Sequence, residues 1–326
     1  MAARSDYSPV PLPRPLIDLR DLRPEHLDGL LREEGREWLT ELDWDFDPSA
    51  DLVRRFIGMR NLMGYVLPGP GSAPPRGYVY YVADEGKGLV GGLYLTAAHR
   101  TQETENLLLT AVLDALWKTP GLHRVEAQLI LLDSPLARAV PYADSFRPHA
   151  RMFLEVSLAH VATLPPRDPK IVIAPWADNR RADAARLISS AYAGHIDSQI
   201  NDQYRSPGGA RRFLGNIVEY PGCGAFFGPA SFVALLGNGQ GLAGMSLASI
   251  VAPGVGHITQ ACVAPSHRST GLGYELLRRS LVTLAAQGCH KASLTVTSAN
   301  TEAAELYFRM GFVNRREFAA YVWEMR

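Results

Sequence analysis

The order of hydrophobic patterns along this chain occurs twice, and a duplicated order constrains a fold more than any single segment does. From residue 23 to residue 130 it runs helix "RPEHLDGLLREEGREWL", strand "GYVYYVA", turn "DEGKG", strand "LVGGLYLTA", helix "ENLLLTAVLDALW", strand "HRVEAQLI". From residue 171 it begins with strand "IVIAPW" and helices "NRRADAARLISSAYAGH" and "GGARRFLGNIVEYP". A meander "SFVALL", "LAGMSLASIV", "HITQACVAP" follows, with turns "GNGQG" and "APGVG" between its strands. A helix from Leu272 to Gln287, a strand "KASLTVTS", a helix from Glu302 to Met310 and a strand "EFAAYVWEM" close the chain. These assignments rest on period-3.6 and period-2 patterning and on glycine and asparagine turns that supply positive φ.

Laid over one another without gaps, "HRTQETENLLL" and "HRSTGLGYELL" share the His-Arg pair and two helix leucines, so Arg100 falls on Arg268. Glu103 and Glu105 fall on Gly271 and Gly273. Carboxylates there would repel a bound phosphate by up to roughly 4 kcal/mol each at about 4 Å and an effective dielectric near 20. Glycine instead lets an anion approach the backbone. The first half is therefore expected to be a degenerate, structural copy of the second.

"LPPRDP", from Leu164 to Pro169, reads as a linker. The expected division is a disordered tail at 1–15, a degenerate domain at 16–163, a linker at 164–170 and a catalytic domain at 171–326. Lysine plus arginine and aspartate plus glutamate are 33 each, so no net field draws the molecule to nucleic acid or to an anionic membrane. The three cysteines, Cys223, Cys262 and Cys289, lack CxxC spacing, which argues against a disulfide framework and a zinc site. They are read as small buried apolar residues. With no apolar leader and no long apolar run, a cytoplasmic protein is expected.

A phosphate cradle needs converging backbone N–H groups, small residues, and a helix N-terminus with its partial positive charge. The segment Arg268, Ser269, Thr270, Gly271, Leu272, Gly273 offers all three after the strand ending at Cys262 and Val263. A P-loop would require GK[ST], and a dinucleotide fold a third glycine after an early βαβ strand; both are missing. Strand, V-x-P-x-x-R-x-x-G-x-G, helix resembles the acyl-CoA loop of the GNAT acyltransferase superfamily. "NTEAAELYFRMGF" is similar to that family's second motif at Asn300, Ala303, Leu306, Tyr307, Gly311 and Phe312. The resemblance covers roughly residues 170 to 326, and the doubled layout is similar to that of the mycothiol synthases.

The resemblance implies two tandem α/β folds, each a twisted, mostly antiparallel mixed sheet flanked by helices. Splaying of the strands bearing "HITQACVAP" and "KASLTVTS" would form the slot for acetyl-CoA or another acyl-CoA as co-substrate. The loop would take the pyrophosphate, an N–H near Val263 the thioester oxygen, and Asn300 the pantetheine arm unless it caps the following helix. Tyr307 falls where the family keeps its general acid. His257, six residues before Val263, is the side-chain candidate for general base, with water as the alternative. "GHIDSQINDQYRS" places His195, Asp197, Asn201 and Tyr204 where the family binds its acceptor. The implied activity is acetyl transfer to a primary amine of a small molecule or peptide, without metal, by a monomer or homodimer. A non-catalytic acyl-CoA sensor and a tRNA-dependent aminoacyl transferase are the alternatives.

Overall fold

The computed structural model describes residues 16–84, 86–132, 136–220, 222–237, 239 and 241–325. The expected tail at 1–15 lies outside them, as do Glu85, Asn238 and Gln240 of the two glycine turns. In the first half the order is β1 (Ile17–Asp18), α1 (Asp28–Leu42), α2 (Asp47–Gly58), β2 (Met63–Leu67), β3 (Gly77–Asp84), β4 (Lys87–Leu95), α3 (Gln102–Trp117), β5 (Arg124–Gln128) and β6 (Phe146–Ser157). The second half begins with β7 (Val172–Pro175), α4 (Arg181–Ala191), α5 (Asp197–Ile200), α6 (Pro207–Glu219), β8 (Ala225–Phe226), β9 (Phe232–Leu235) and β10 (Leu242–Ala252). It ends with β11 (Val255–Val263), α7 (Leu272–Ala286), β12 (Lys291–Thr297), α8 (Thr301–Arg309) and β13 (Val313–Glu324).

The duplication is visible in register. β4 and β11 lie 168 residues apart at both ends, and so do the short 3-10 turns that follow them, Ala97–His99 and Pro265–His267. Gly88 and Gly256 hold the same place: a Cβ on either would sit 2.6 Å from a leucine methyl, of Leu116 and Leu284 respectively. Each glycine lets its helix lie close on its strand.

All strands join one mixed sheet in the order β1-β2-β3-β4-β5-β13-β6-β12-β11-β10-β9-β7, with β8 added beside β10. Only β4·β5 and β11·β12 are parallel among the described pairs. The middle of the order shows that the halves exchange their last strands. β13 pairs β5 from Ala320↔Gln128 to Glu324↔Arg124, and β6 pairs β12 from Lys291↔Ser157 to Thr297↔Arg151. The packing explains the exchange. Tyr321 and Trp323 of β13 fill the first half's core with Leu109 and Val112, whereas Leu154 and Val156 of β6 fill the second half's core with Leu281 and Leu294. A division near residue 166 therefore follows the chain but not the sheet.

Helices cover both faces. Along β10, Met245 and Leu247 pack under α4 and α6, while a Cβ on Gly244 would meet Leu276 of α7 at 2.8 Å and Ser246 accepts from Ser280 at 2.8 Å. This is the period-2 alternation of a strand buried on both sides.

Candidate active site

β11 and β12 pair only from Val255↔Lys291 to Ile258↔Leu294. Beyond Ile258 they part, and the edge of β11 opens. Ala264 N–H donates to Ala243 C=O at 2.8 Å, so Val263, the preceding residue, turns its N–H away from β10 toward the opening. The hydroxyl of Tyr192 uses the same edge, donating to the carbonyl of Ala261 at 3.2 Å.

The loop beyond β11 leaves its backbone amides without side-chain caps. Ser269 (φ 60°) and Gly271 (φ 85°) are left-handed on either side of Thr270, a conformation that turns successive amides inward. Gly271 is the N-cap of α7 and no side chain caps the helix; its first backbone bond runs from Glu275 N–H to Gly271 C=O. The amides before Glu275 have no acceptor within the helix and carry the positive end of its dipole. Thr270 closes the loop by donating its hydroxyl to His267 C=O at 2.8 Å, and Leu272 is buried, anchoring the first turn. Arg268 stands beside them, one guanidinium nitrogen donating to Ala191 C=O at 2.6 Å.

The corresponding place in the first half is closed. α3 begins two residues earlier, its N-cap Thr101 accepts from Thr104 N–H at 3.2 Å, and the Thr104 hydroxyl accepts from Thr101 N–H at 3.1 Å. Arg100 is held on Glu37 by two contacts of 2.5 Å, and buried Glu105 pairs with Arg138 at 2.6 Å. The Thr101 and Thr104 amides are satisfied by side chains, the cation is engaged and a carboxylate stands nearby.

The opening between β11, β12 and α8 widens into a cavity of about 1200 Å³. Small-molecule pockets are commonly about 300–1,000 Å³, so this one has room for a large ligand. Cys262, Val263, Arg268, Ser269, Gly271, Gly273, Asn300, Tyr307 and His195 all line it. Asn300 caps α8, its side chain accepting from Ala303 N–H at 3.4 Å. The Tyr307 phenol is pushed up to about 12, chiefly by burial with Asp197 and Cys262 adding, so it keeps its proton at neutral pH. Burial also pushes the Cys262 thiol up to about 12, which leaves little thiolate for a nucleophile. Burial raises Cys289, which is buried, and also Cys223, which is exposed as a residue contrary to the expectation.

Other expected site residues lie elsewhere. His257 is not among the cavity residues: it is 4% exposed, packed against Trp44 (centroids 4.9 Å) and Phe153 (6.3 Å), with Nδ1 2.9 Å from the Ser293 hydroxyl. Burial lowers it to about 3. Counting six residues back from Val263 predicts a shared face, but Leu247 pairs Gln260 while Ala248 pairs Ile258, so Thr259 is a bulge that inverts the alternation. Asn201 caps its own turn through Gln203 N–H at 3.0 Å. Tyr204 stacks on Tyr192 at 4.5 Å and donates to Gln260 at 3.2 Å, behind the cavity wall. Asp197 accepts the Thr297 hydroxyl. His195 does reach the cavity; its Nδ1 lies 3.2 Å from the Asp197 amide nitrogen and 3.5 Å from the Asp197 carboxylate.

Two groups of residues were not legible in the sequence. Tyr192 and Gln260 form a part-buried chain, Gln260 donating to the Tyr192 hydroxyl at 2.8 Å, and nothing in their spacing marks it. Leu164, Pro165 and Arg167, read as linker, line the cavity. The first half also braces the acceptor side: Lys87, 2.9 Å from Glu126, bridges to Asp202, Glu126 accepts from Asp202 N–H at 3.0 Å, and Arg124 donates to Gln199 C=O.

Residues 202–312 match the model of the acetyltransferase (GNAT) family. A GCN5-related N-acetyltransferase from Sphaerobacter thermophilus superposes with a TM-score of 0.62 at 16% identity over 97% of each chain. An acetyltransferase of the GNAT family from Colwellia psychrerythraea gives 0.52 at 12% identity, over 96% of this chain and 100% of its own. A tandem GNAT protein from the clavulanic acid biosynthesis pathway gives 0.53 at 15%, over 81% and 82%. Among curated proteins none matches the sequence. The match to the acetyltransferase (GNAT) family thus lies within the second half, and the chain as a whole has the fold of tandem GNAT proteins. Among the described residues no helix is long and apolar enough to cross a membrane, and no group of three or more His, Cys, Asp or Glu is placed to hold a metal ion.

Proposed function

We propose that the second half transfers an acetyl group from acetyl-CoA to a primary amine of a small molecule or peptide. The observation that carries this reading is the uncapped, glycine-containing loop at the mouth of the slot where β11 and β12 part, with a protonated Tyr307 in the same cavity. The residues fit the co-substrate: loop amides and Arg268 for the pyrophosphate, the slot for the pantetheine arm. Acetyl-CoA supplies an activated thioester carbonyl to the slot.

In the proposed reaction the amine nitrogen bonds to the thioester carbon, and the carbon–sulfur bond breaks. Val263 N–H takes the charge developing on the carbonyl oxygen, the kind of preorganised contact worth the most in acyl transfer. Water accepts the ammonium proton, because His257 lies outside the cavity. Tyr307 gives its proton to the departing sulfur and regains one from solvent.

The test is thiol release from acetyl-CoA against an amine library. Release with one class of amine supports the proposal. Binding of CoA by calorimetry with no release for any amine would replace it with the non-catalytic acyl-CoA sensor.

A further inference from the structure

The segment between the two repeats is not a free tether. The carbonyl of Pro165 accepts the Tyr274 hydroxyl at 3.0 Å, and the amide of Arg167 donates to Glu275 at 3.0 Å. Tyr274 and Glu275 lie in the first turn of α7, the helix that ends the loop. Glu275 is 1% exposed. Burial pushes its carboxyl upward, but Arg278, the Arg167 amide and Arg279 outweigh that and hold it at about 2. The resulting carboxylate, neutralised by Arg278 and Arg279 at 2.9 Å each, is a fixed anchor for the strap.

From that anchor the Arg167 side chain crosses the loop. Its guanidinium lies over the Tyr274 ring, 5.3 Å from the centroid, and its Cδ is 3.2 Å from where a Cβ on Gly271 would sit. It lines the same cavity as Arg268 and makes no ion pair among the described residues. A planar cation held against a ring, with its donors uncommitted, is arranged for a phosphoryl group rather than for internal stability.

We propose that Arg167 is a second phosphate-binding cation, supplied by the strap between the repeats and closing over the pyrophosphate held by the Ser269–Gly273 amides. The proposal rests on the acyl-CoA reading above and goes beyond it, since it makes the connection between the halves part of the binding site. Arg268 and Arg167 then flank the pyrophosphate, one from the loop and one from the strap.

Because the strap is anchored through backbone groups, Arg167→Ala removes the cation and leaves the anchor. The experiment is calorimetry with CoA and with 3′-dephospho-CoA on the full chain, on Arg167→Ala and on Arg167→Lys. Arg167→Ala is expected to weaken both ligands alike, about tenfold, the loss of one charge-assisted contact partly open to solvent, with Arg167→Lys in between and melting unchanged. A loss confined to CoA would overturn the pyrophosphate assignment in favour of the 3′-phosphate. Unchanged affinity for both would overturn any phosphate role. Failure of the wild-type chain to bind CoA would instead overturn the acyl-CoA reading itself, so the two failures are distinguishable.

Discussion

Replacing Gly271 by glutamate puts into the second loop the carboxylate that the first half carries as Glu103. Two effects are separable. Gly271 has φ 85°, and any L-residue forced there costs roughly 1–2 kcal/mol. The new Cβ would lie 3.2 Å from Arg167 Cδ, the end of a flexible side chain that can give way. Gly271→Ala therefore measures strain alone, about tenfold in affinity if all of it falls on the bound state. Glutamate adds repulsion of up to about 4 kcal/mol for each phosphate charge within about 4 Å at an effective dielectric near 20. Calorimetric titration with CoA should thus show modest weakening for alanine and a further loss of at least about a hundredfold for glutamate. Raising the salt concentration should narrow the difference. If the glutamate variant binds CoA as tightly as the alanine variant, no pyrophosphate sits at these amides and the reading of the loop is wrong.

Tyr307→Phe should lower kcat on an accepted amine by about a hundredfold or more while CoA affinity stays level, since only the proton donor is lost; equal turnover would remove the general-acid role. His257→Gln should leave the pH profile of kcat/KM unchanged while lowering the melting temperature, because the ring packs against Trp44 and Phe153 and is not among the cavity residues. A lost acidic limb would return it to the mechanism. Burial raises the Glu34 carboxyl from 4.5 to about 7, with Tyr78 donating to it at 2.6 Å. Its contribution to folding is complete below about pH 4.5 and disappears as pH rises through about 7, a swing of about 3 kcal/mol. Urea unfolding of Glu34→Gln at pH 5 and pH 8 should show that much less pH dependence than wild type; parallel curves would refute it.

The segments that carry the site were readable because their signals are local. β11, the loop and α7 are encoded by an alternating strand, a proline, two glycines and an amphipathic helix within about thirty residues, and α7 begins at the expected Leu272. Glu103 and Glu105 marked the first half's loop as unlike its counterpart, and in the structure Thr101 and Thr104 cap its helix. α2, β2 and β6 are not among the elements expected from the hydrophobic pattern. β6 holds two arginines, a histidine and Pro148, a composition that argues against a central strand. Pro148 is tolerated because β6 pairs β12 only from Arg151 to Ser157, so its missing N–H faces no strand there.

Local chemistry thus decides which of the two loops turns on left-handed glycine and stays uncapped and which carries side-chain caps, since φ, capping and alternation depend on near neighbours. The three-dimensional packing settled which sheet each terminal strand completes, because Tyr321 and Trp323 choose a core formed by residues some two hundred positions away. It also moved His257 to the opposite face through a one-residue bulge. And it turned a proline-rich connection into a wall of the cavity, through contacts with Tyr274 and Glu275 more than a hundred residues distant that no periodicity records.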